Sequence, residues 1–150
     1  FLNEVDGSGG DFLKMPAGGS RLPASAQTVE QRLHYVKQEG QQVFKYAVRK
    51  MYETCIALLE RHNMTAKDIK LLIPHQANRR IIAATAERLG LDCDQVIINI
   101  DRYANTTAAT IPLATRDALA SGKLKKGDVV LFVGVGAGFT VGANLWRWAY

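Results

Sequence analysis

The chain has 150 residues, 47% hydrophobic and 22% charged, with 19 Lys and Arg against 14 Asp and Glu for a formal charge of +5. These proportions describe one globular unit large enough to bury a core without metal or disulfide, and they exclude collagen-like, mucin-like and disordered-tail readings. No apolar run reaches the roughly 20 residues of a membrane span, and the apolar stretch from Val129 to Val141 is cut by Gly134, Gly136 and Gly138. Cys55 and Cys93 lie far apart without a CxxC spacing, and the three histidines form no ligand cluster. A reducing cytoplasm, no metal and no disulfide are the expectations. The first ten residues lack an initiator Met, a basic region and an apolar region, so they read as part of a chain cut from something longer rather than as a signal peptide.

Residues 1–27 are dense in Gly, Ser, Pro, Asp and Asn and read as an irregular connecting segment with a short strand around Phe12-Leu13-Lys14. Thr28 is placed to cap a helix running to about Gln38, and Gly40 interrupts before a longer helix over 41–62. In that helix Phe44, Ala47, Val48, Met51, Cys55, Leu58 and Leu59 recur at three- and four-residue spacing, which makes them one buried stripe. Thr65 to Asp68 reads as a capping turn and Ile69 to Ile73 as a buried strand stopped by Pro74. A helix over 77–89 follows, stopped by Gly90, and the β-branched run Val96 to Ile100 reads as a strand. Residues 106–121 form a small-residued helix expected to lie between layers, with Pro112 tolerated near its start. Strands are expected at 129–133 and 139–147 across a glycine-rich turn. The alternation predicts an α/β fold: a mixed, mostly parallel five-stranded sheet with helices on both faces.

Three loops at strand ends concentrate unusual residues, and such loops are where open α/β sheets hold ligands. His75 stands between a strand and a helix in Pro74-His75-Gln76-Ala77-Asn78, where it is either a structural group or a chemical one. Asn105 precedes Thr106 and Thr107 at a helix entrance, where an ordinary N-cap is a sufficient account. The Gly134-Val135-Gly136-Ala137-Gly138 turn is either a tight connection or a set of amides aimed at an oxyanion. Arg79, Arg80 and Arg88 put positive charge on the helix after His75, and Lys123, Lys125 and Lys126 read as a solvated turn.

In this order the Pro74-His75-Gln76-Ala77-Asn78 and Asn105-Thr106-Thr107-Ala108-Ala109 blocks, with Asp6-Gly7-Ser8, Val43 to Val48 and Gly138 to Gly142, resemble the ketoacyl synthase III branch of the thiolase-fold enzymes. The resemblance implies a pseudo-symmetric two-half enzyme of which residues 28–150 are the carboxyl-terminal thiolase-like domain. The nucleophilic Cys would belong to an amino-terminal half outside these residues, and neither Cys55 nor Cys93 matches it. It implies that His75 and Asn105 are the catalytic pair, that the Ala137 N–H contributes to an oxyanion site, and that Arg80, with Arg79 beside it, docks an acyl carrier protein. The family generally has Gly at Ala137 and Phe at Val135, so the turn and the primer preference are the points of departure. The implied reaction is decarboxylative condensation of an acyl-CoA primer, acetyl-CoA foremost, with malonyl-acyl-carrier-protein to start fatty-acid synthesis. No cofactor, membrane or nucleic acid is implied, and the implied partners are acyl-CoA, acyl carrier protein, the chain's own amino-terminal half and a second copy in a homodimer. Two alternatives stay open: a related condensing enzyme of quinolone or polyketide synthesis, and a non-catalytic basic module holding nucleic acid, against which the dispersed charges and missing aromatic-basic interleaving speak.

Overall fold

The computed structural model describes all residues, Phe1–Tyr150. Its main sheet has four strands in the order β1 (Leu2–Val5), β6 (Thr140–Arg147), β5 (Val129–Gly136), β4 (Leu71–Pro74). Only β4 and β5 run parallel; β5 with β6 and β6 with β1 are antiparallel. The expectation of a mostly parallel five-stranded sheet is therefore corrected to a mixed, mostly antiparallel sheet of four. A separate two-stranded ribbon pairs β2 (Leu13–Lys14) with β3 (Lys37–Gln38).

The missing strand is the Val96 to Ile100 run. It begins as expected: Val96 bridges Leu72 in parallel, and the Ile97 N–H donates to the Leu72 carbonyl at 3.0 Å. The ladder then stops because the Asn99 N–H is taken by the Gln76 side chain, and Ile100–Tyr103 turns into a one-turn helix, α4. β-Branched composition favours an extended chain, but a competing side-chain acceptor ends the pairing after one register.

The opening segment also differs from the irregular reading. Leu2 to Val5 lies along Ala143 to Thr140 as the edge strand, with Leu2 against the core and Glu4 paired to Lys50 at 2.9 Å. The helix expected at 28–38 shortens to α1 (Ala26–Glu30). Ser25 caps it and Thr28 sits inside the first turn, its hydroxyl accepting the Ser25 N–H and lying 2.9 Å from His34 Nε2. That contact folds the following chain back into β3.

The longer helices follow the periodicity. In α2 (Gly40–Arg61) the predicted stripe is buried except for its first member, Phe44, which packs half-buried at the edge. α3 (Arg79–Leu89) starts two residues later than expected because Asn78 caps it, accepting the Arg80 N–H at 2.9 Å, and it ends at Gly90 with φ +69°. The helix expected over 106–121 divides into a tight 3-10 turn at Thr107–Ala109 and α5 (Thr110–Ala120).

Side-chain alternation along the strands separates the two faces of the sheet. Leu72, Leu131, Val133, Val141 and Ala143 pack with α2 and α3, whereas Leu71, Ile73 and Val130 pack with Ala114 and Ala118 of α5. Both faces of β4 and the central part of β5 are thus covered, which explains their continuous apolar runs. α5 buries its Thr110, Ala114 and Ala118 face against the sheet. The opposite side of α5 and the neighbouring sheet leave an apolar groove of about 570 Å³. Ile111, Leu119, Phe132, Trp146 and Trp148 line it, and Trp146 is 56% exposed.

Candidate active site

The parallel pairing of β4 with β5 continues one residue past the strand, because the His75 N–H donates to the Val133 carbonyl at 2.8 Å. This pins the His75 backbone against the sheet. Gly134 supplies the space for it: a Cβ there would stand 3.4 Å from the His75 Cβ and 4.0 Å from Ile111. The next residue, Gln76, is 1% exposed and fully bonded. Its Nε2 donates to the Pro74 and Ile97 carbonyls, each at 3.0 Å, and its Oε1 accepts the Asn99 N–H at 3.0 Å. Asn99 in turn donates to Asp117 on α5 at 2.7 Å, and Arg102 and Tyr103 bond the same carboxylate. The Asn99 amide, aided by the Arg102 charge, holds the Asp117 carboxyl below its ordinary range. One polar chain therefore runs from the His75 loop to the helix on the far side of the 96–99 segment.

Asn105 reaches the same region through a strained turn. Ala104 has φ +56° and ψ −164°, and Thr107 has φ +52°. The first is a region of backbone space that glycine occupies almost alone. Between them the Asn105 Oδ1 accepts the Thr107 N–H at 2.9 Å, which leaves the Asn105 NH₂ as the free end of the amide. Replacing Ala104 with Gly is expected to raise unfolding stability by about 1 kcal/mol, since relief of roughly 1–3 kcal/mol of strain exceeds the added chain entropy of glycine. A shift of the urea midpoint at unchanged slope measures it; a loss of stability would show the turn to be unstrained.

His75 and Asn105 line one cavity of about 660 Å³ whose floor includes Gly134, Gly136 and Gly142. The imidazole Nδ1 lies 2.6 Å from the Thr110 hydroxyl, so Nε2 is the ring nitrogen without a protein partner. The ring is half-buried, and burial pushes its pKa below the ordinary 6.5. Unfolded His75 binds a proton below 6.5 more readily than folded His75 does, so stability from the neutral ring is complete above pH 6.5 and is lost as pH falls towards the lower folded value. In a proton-linked unfolding series, His75→Gln is expected to reduce the slope of stability against pH just below 6.5; an unchanged slope would contradict a depressed His75.

Of the other expected site residues, Ala137 lies in the turn between β5 and β6, one residue beyond the Gly136 that lines the cavity. Its N–H meets no backbone acceptor. The positive φ of this turn falls on Gly138, at +135°, and not on Ala137, so an alanine fits where the resemblance led one to expect glycine. Val135 lines the cavity beside it. Arg79 and Arg80 stand on the first turn of α3, outside this cavity, and point to different surroundings. Arg80 lies over the Phe44 ring of α2 at 5.4 Å, and Arg88 repeats the arrangement over Tyr52 at 5.1 Å. Arg79 borders a separate recess with Asn99, Arg102 and Lys123. Cys55 is wholly buried in the α2 stripe with its thiol pushed up to about 12 by burial, and Cys93 is exposed in the loop after α3. Gln76 and Thr110 received no individual role from the sequence; only a hydrogen-bonding residue beside a buried strand end hinted at the first, and nothing marked the second among its small neighbours.

Taken together, a three-layer half-domain and a cavity presenting an imidazole, a carboxamide and a glycine-rich turn define the class: one half of a thiolase fold. Residues 59–148 match the family described as 3-Oxoacyl-[acyl-carrier-protein (ACP)] synthase III C terminal, and the chain belongs to that family. Among curated relatives, the beta-ketoacyl-[acyl-carrier-protein] synthase III of Solibacter usitatus is 67% identical over 100% of this chain and 45% of its own length. That of Koribacter versatilis is 57% identical over 99% of this chain and 45% of its own. The crystal structure of the Thermus thermophilus synthase III superposes with a TM-score of 0.86 at 40% identity, covering 99% of this chain and 45% of that one. The Aquifex aeolicus enzyme gives 0.83 at 37% identity, over 98% and 43%. The chain thus spans less than half the length of the relatives it matches.

Proposed function

We propose that this chain is the carboxyl-terminal half of a 3-oxoacyl-(acyl-carrier-protein) synthase III, an acyltransferase that condenses an acyl-CoA primer with malonyl-acyl-carrier-protein and releases CO₂. The observation that carries the reading is the convergence of two donors on one cavity: the unpartnered Nε2 side of His75 and the free NH₂ of Asn105. Loss of CO₂ from a malonyl thioester leaves an enolate whose oxygen gains negative charge. Two preorganised neutral N–H donors stabilise that oxygen without a proton leaving the protein. The depressed His75 pKa suits this role, because a neutral imidazole donates without first having to be charged. The enolate carbon then attacks an acyl group held as a thioester on a cysteine of the amino-terminal half, the oxygen of the tetrahedral intermediate is received by that cysteine's N–H and the open N–H of Ala137, and collapse of the intermediate breaks the C–S bond and returns the cysteine as its thiolate. The reaction needs no cofactor.

The apolar groove between α5 and β6 supports the other part of the proposal, that an amino-terminal half covers this side. Its aromatic floor and the exposed Leu119 and Trp146 make a patch of the kind that marks an interface. Residues 28–150, joined by β1, are assigned to the carboxyl-terminal domain. Arg80, held over Phe44, and the adjacent Arg79 are assigned to steering an acidic carrier protein, and the enzyme is assigned to the cytoplasm as a homodimer. No helix here is long and apolar enough to cross a membrane.

The test is malonyl-thioester decarboxylation by the 150-residue chain with and without an amino-terminal half supplied in trans. The chain alone is expected to be inactive and to self-associate, and the added half to restore turnover. Turnover by the isolated chain at the rate of the reconstituted enzyme would overturn the division of labour. A basic nucleic-acid module is the reading that the same preparation excludes by failing to retain oligonucleotides at moderate salt.

A further inference from the structure

The chain that leads from Asn105 through the 3-10 turn into α5 touches His75 at Thr110. The Thr107 N–H goes to Asn105 Oδ1, and the Thr107 carbonyl receives the Thr110 N–H as the turn enters α5. The Thr110 hydroxyl then lies 2.6 Å from His75 Nδ1 and 3.0 Å from the Thr107 carbonyl. A hydroxyl has one proton, so it donates to one of these two and not both. The carbonyl already has a backbone donor, whereas Nδ1 meets no other protein donor. Thr110 is itself 2% exposed, so water does not compete freely for the pair.

We propose that Thr110 is a positioning residue whose hydroxyl donates to His75 Nδ1, holding the imidazole as the tautomer protonated on Nε2, so that the nitrogen left for the cavity is a neutral donor rather than a base. This rests on the proposed function, since only an enolate oxygen calls for a donor there. The reverse arrangement, with Nδ1 protonated and the hydroxyl turned to Thr107, would present a bare Nε2 lone pair suited to accepting a proton. One hydrogen atom therefore separates an oxyanion site from a general base, and the partner of the other ring nitrogen decides which forms. Thr107 and Thr110 would set both donors from a single turn: one frees the Asn105 NH₂, the other protonates Nε2. The half-buried ring, held neutral by its surroundings, lets this selection operate at ordinary pH.

The experiment is nitrogen NMR of the full-length enzyme labelled in its histidine rings, with His75 assigned by its disappearance in His75→Ala. In the wild type, Nε2 is expected at a protonated, pyrrole-like shift and Nδ1 at a pyridine-like one. Thr110→Val keeps the shape but removes the hydroxyl; it is expected to mix the two tautomers and to slow malonyl decarboxylation about 10-fold, the scale of one neutral hydrogen bond, while cysteine acylation is unchanged. Thr110→Ser is expected to restore both the spectrum and the rate. A wild-type His75 protonated on Nδ1 overturns the assignment without needing any variant, and so does a Thr110→Val spectrum identical to wild type. The two claims fail separately: if the tautomer is as expected but His75→Ala decarboxylates normally, the enolate reading falls and Thr110 remains what sets the ring.

Discussion

His75→Ala and Asn105→Ala are each expected to slow malonyl-thioester decarboxylation by the full-length enzyme by about 10² to 10³, the usual cost of deleting one oxyanion donor. Acylation of the cysteine by the primer should change far less, because no enolate forms in that step. The two half-reactions separate chemistry from architecture. His75 is anchored by its own backbone N–H to Val133, a bond that truncating its side chain leaves in place, whereas truncating Asn105 also takes away the Oδ1 that accepts the Thr107 N–H. Equal loss in both half-reactions would mean that these side chains hold the cavity open rather than act in it. The double variant is expected to lose less than the product of the single losses, since the two donors serve one oxygen and act as a unit.

The largest stability effect is expected at Gln76. Substituting leucine removes a buried amide and with it the bonds to the Asn99 N–H and to the Pro74 and Ile97 carbonyls. At roughly 1–3 kcal/mol for each buried group left without a partner, a loss of about 3–5 kcal/mol is expected even if one of them finds water. Urea unfolding of the full-length protein measures it. The same change loosens the link from the His75 loop to Asn99 and Asp117, so decarboxylation should fall as well, and Gln76→Glu should recover little because a carboxylate has no N–H to give to two carbonyls. A Gln76→Leu protein as stable as the parent would show that the 96–99 segment docks by its apolar side chains alone.

Much of this site could be read from the chain, and the reasons differ by residue. The α2 stripe was legible because burial of one helix face imposes a 3.6-residue period that does not depend on what it packs against. His75 stood out because it follows an apolar strand stopped by proline and precedes a capped helix, an arrangement set by local punctuation. Asn105 was conspicuous for its company, although the unfavourable backbone on either side of it was not, since nothing local predicts an alanine at φ +56°. The sheet was misjudged for a reason of the same kind. Val96 to Ile98 has the composition of a strand, and whether it pairs beyond one residue is decided by a glutamine more than twenty positions earlier in sequence.

The first strand shows the limit from the other side. Leu2 to Val5 is too short and too close to a run of glycines to be distinguished from coil, and it is extended only because β6 offers an open edge. By itself, the order of residues determined the long amphipathic helix α2, the glycine stop of α3, the family to which the chain belongs and the two residues that meet in the cavity, because each of these depends on near neighbours or on a fixed motif. Only the tertiary structure decided strand direction, the meeting of two loops thirty residues apart, and which nitrogen of His75 is left free. Those depend on where a single N–H or hydroxyl finds its partner across the fold, and a partner distant in sequence leaves no local pattern to read.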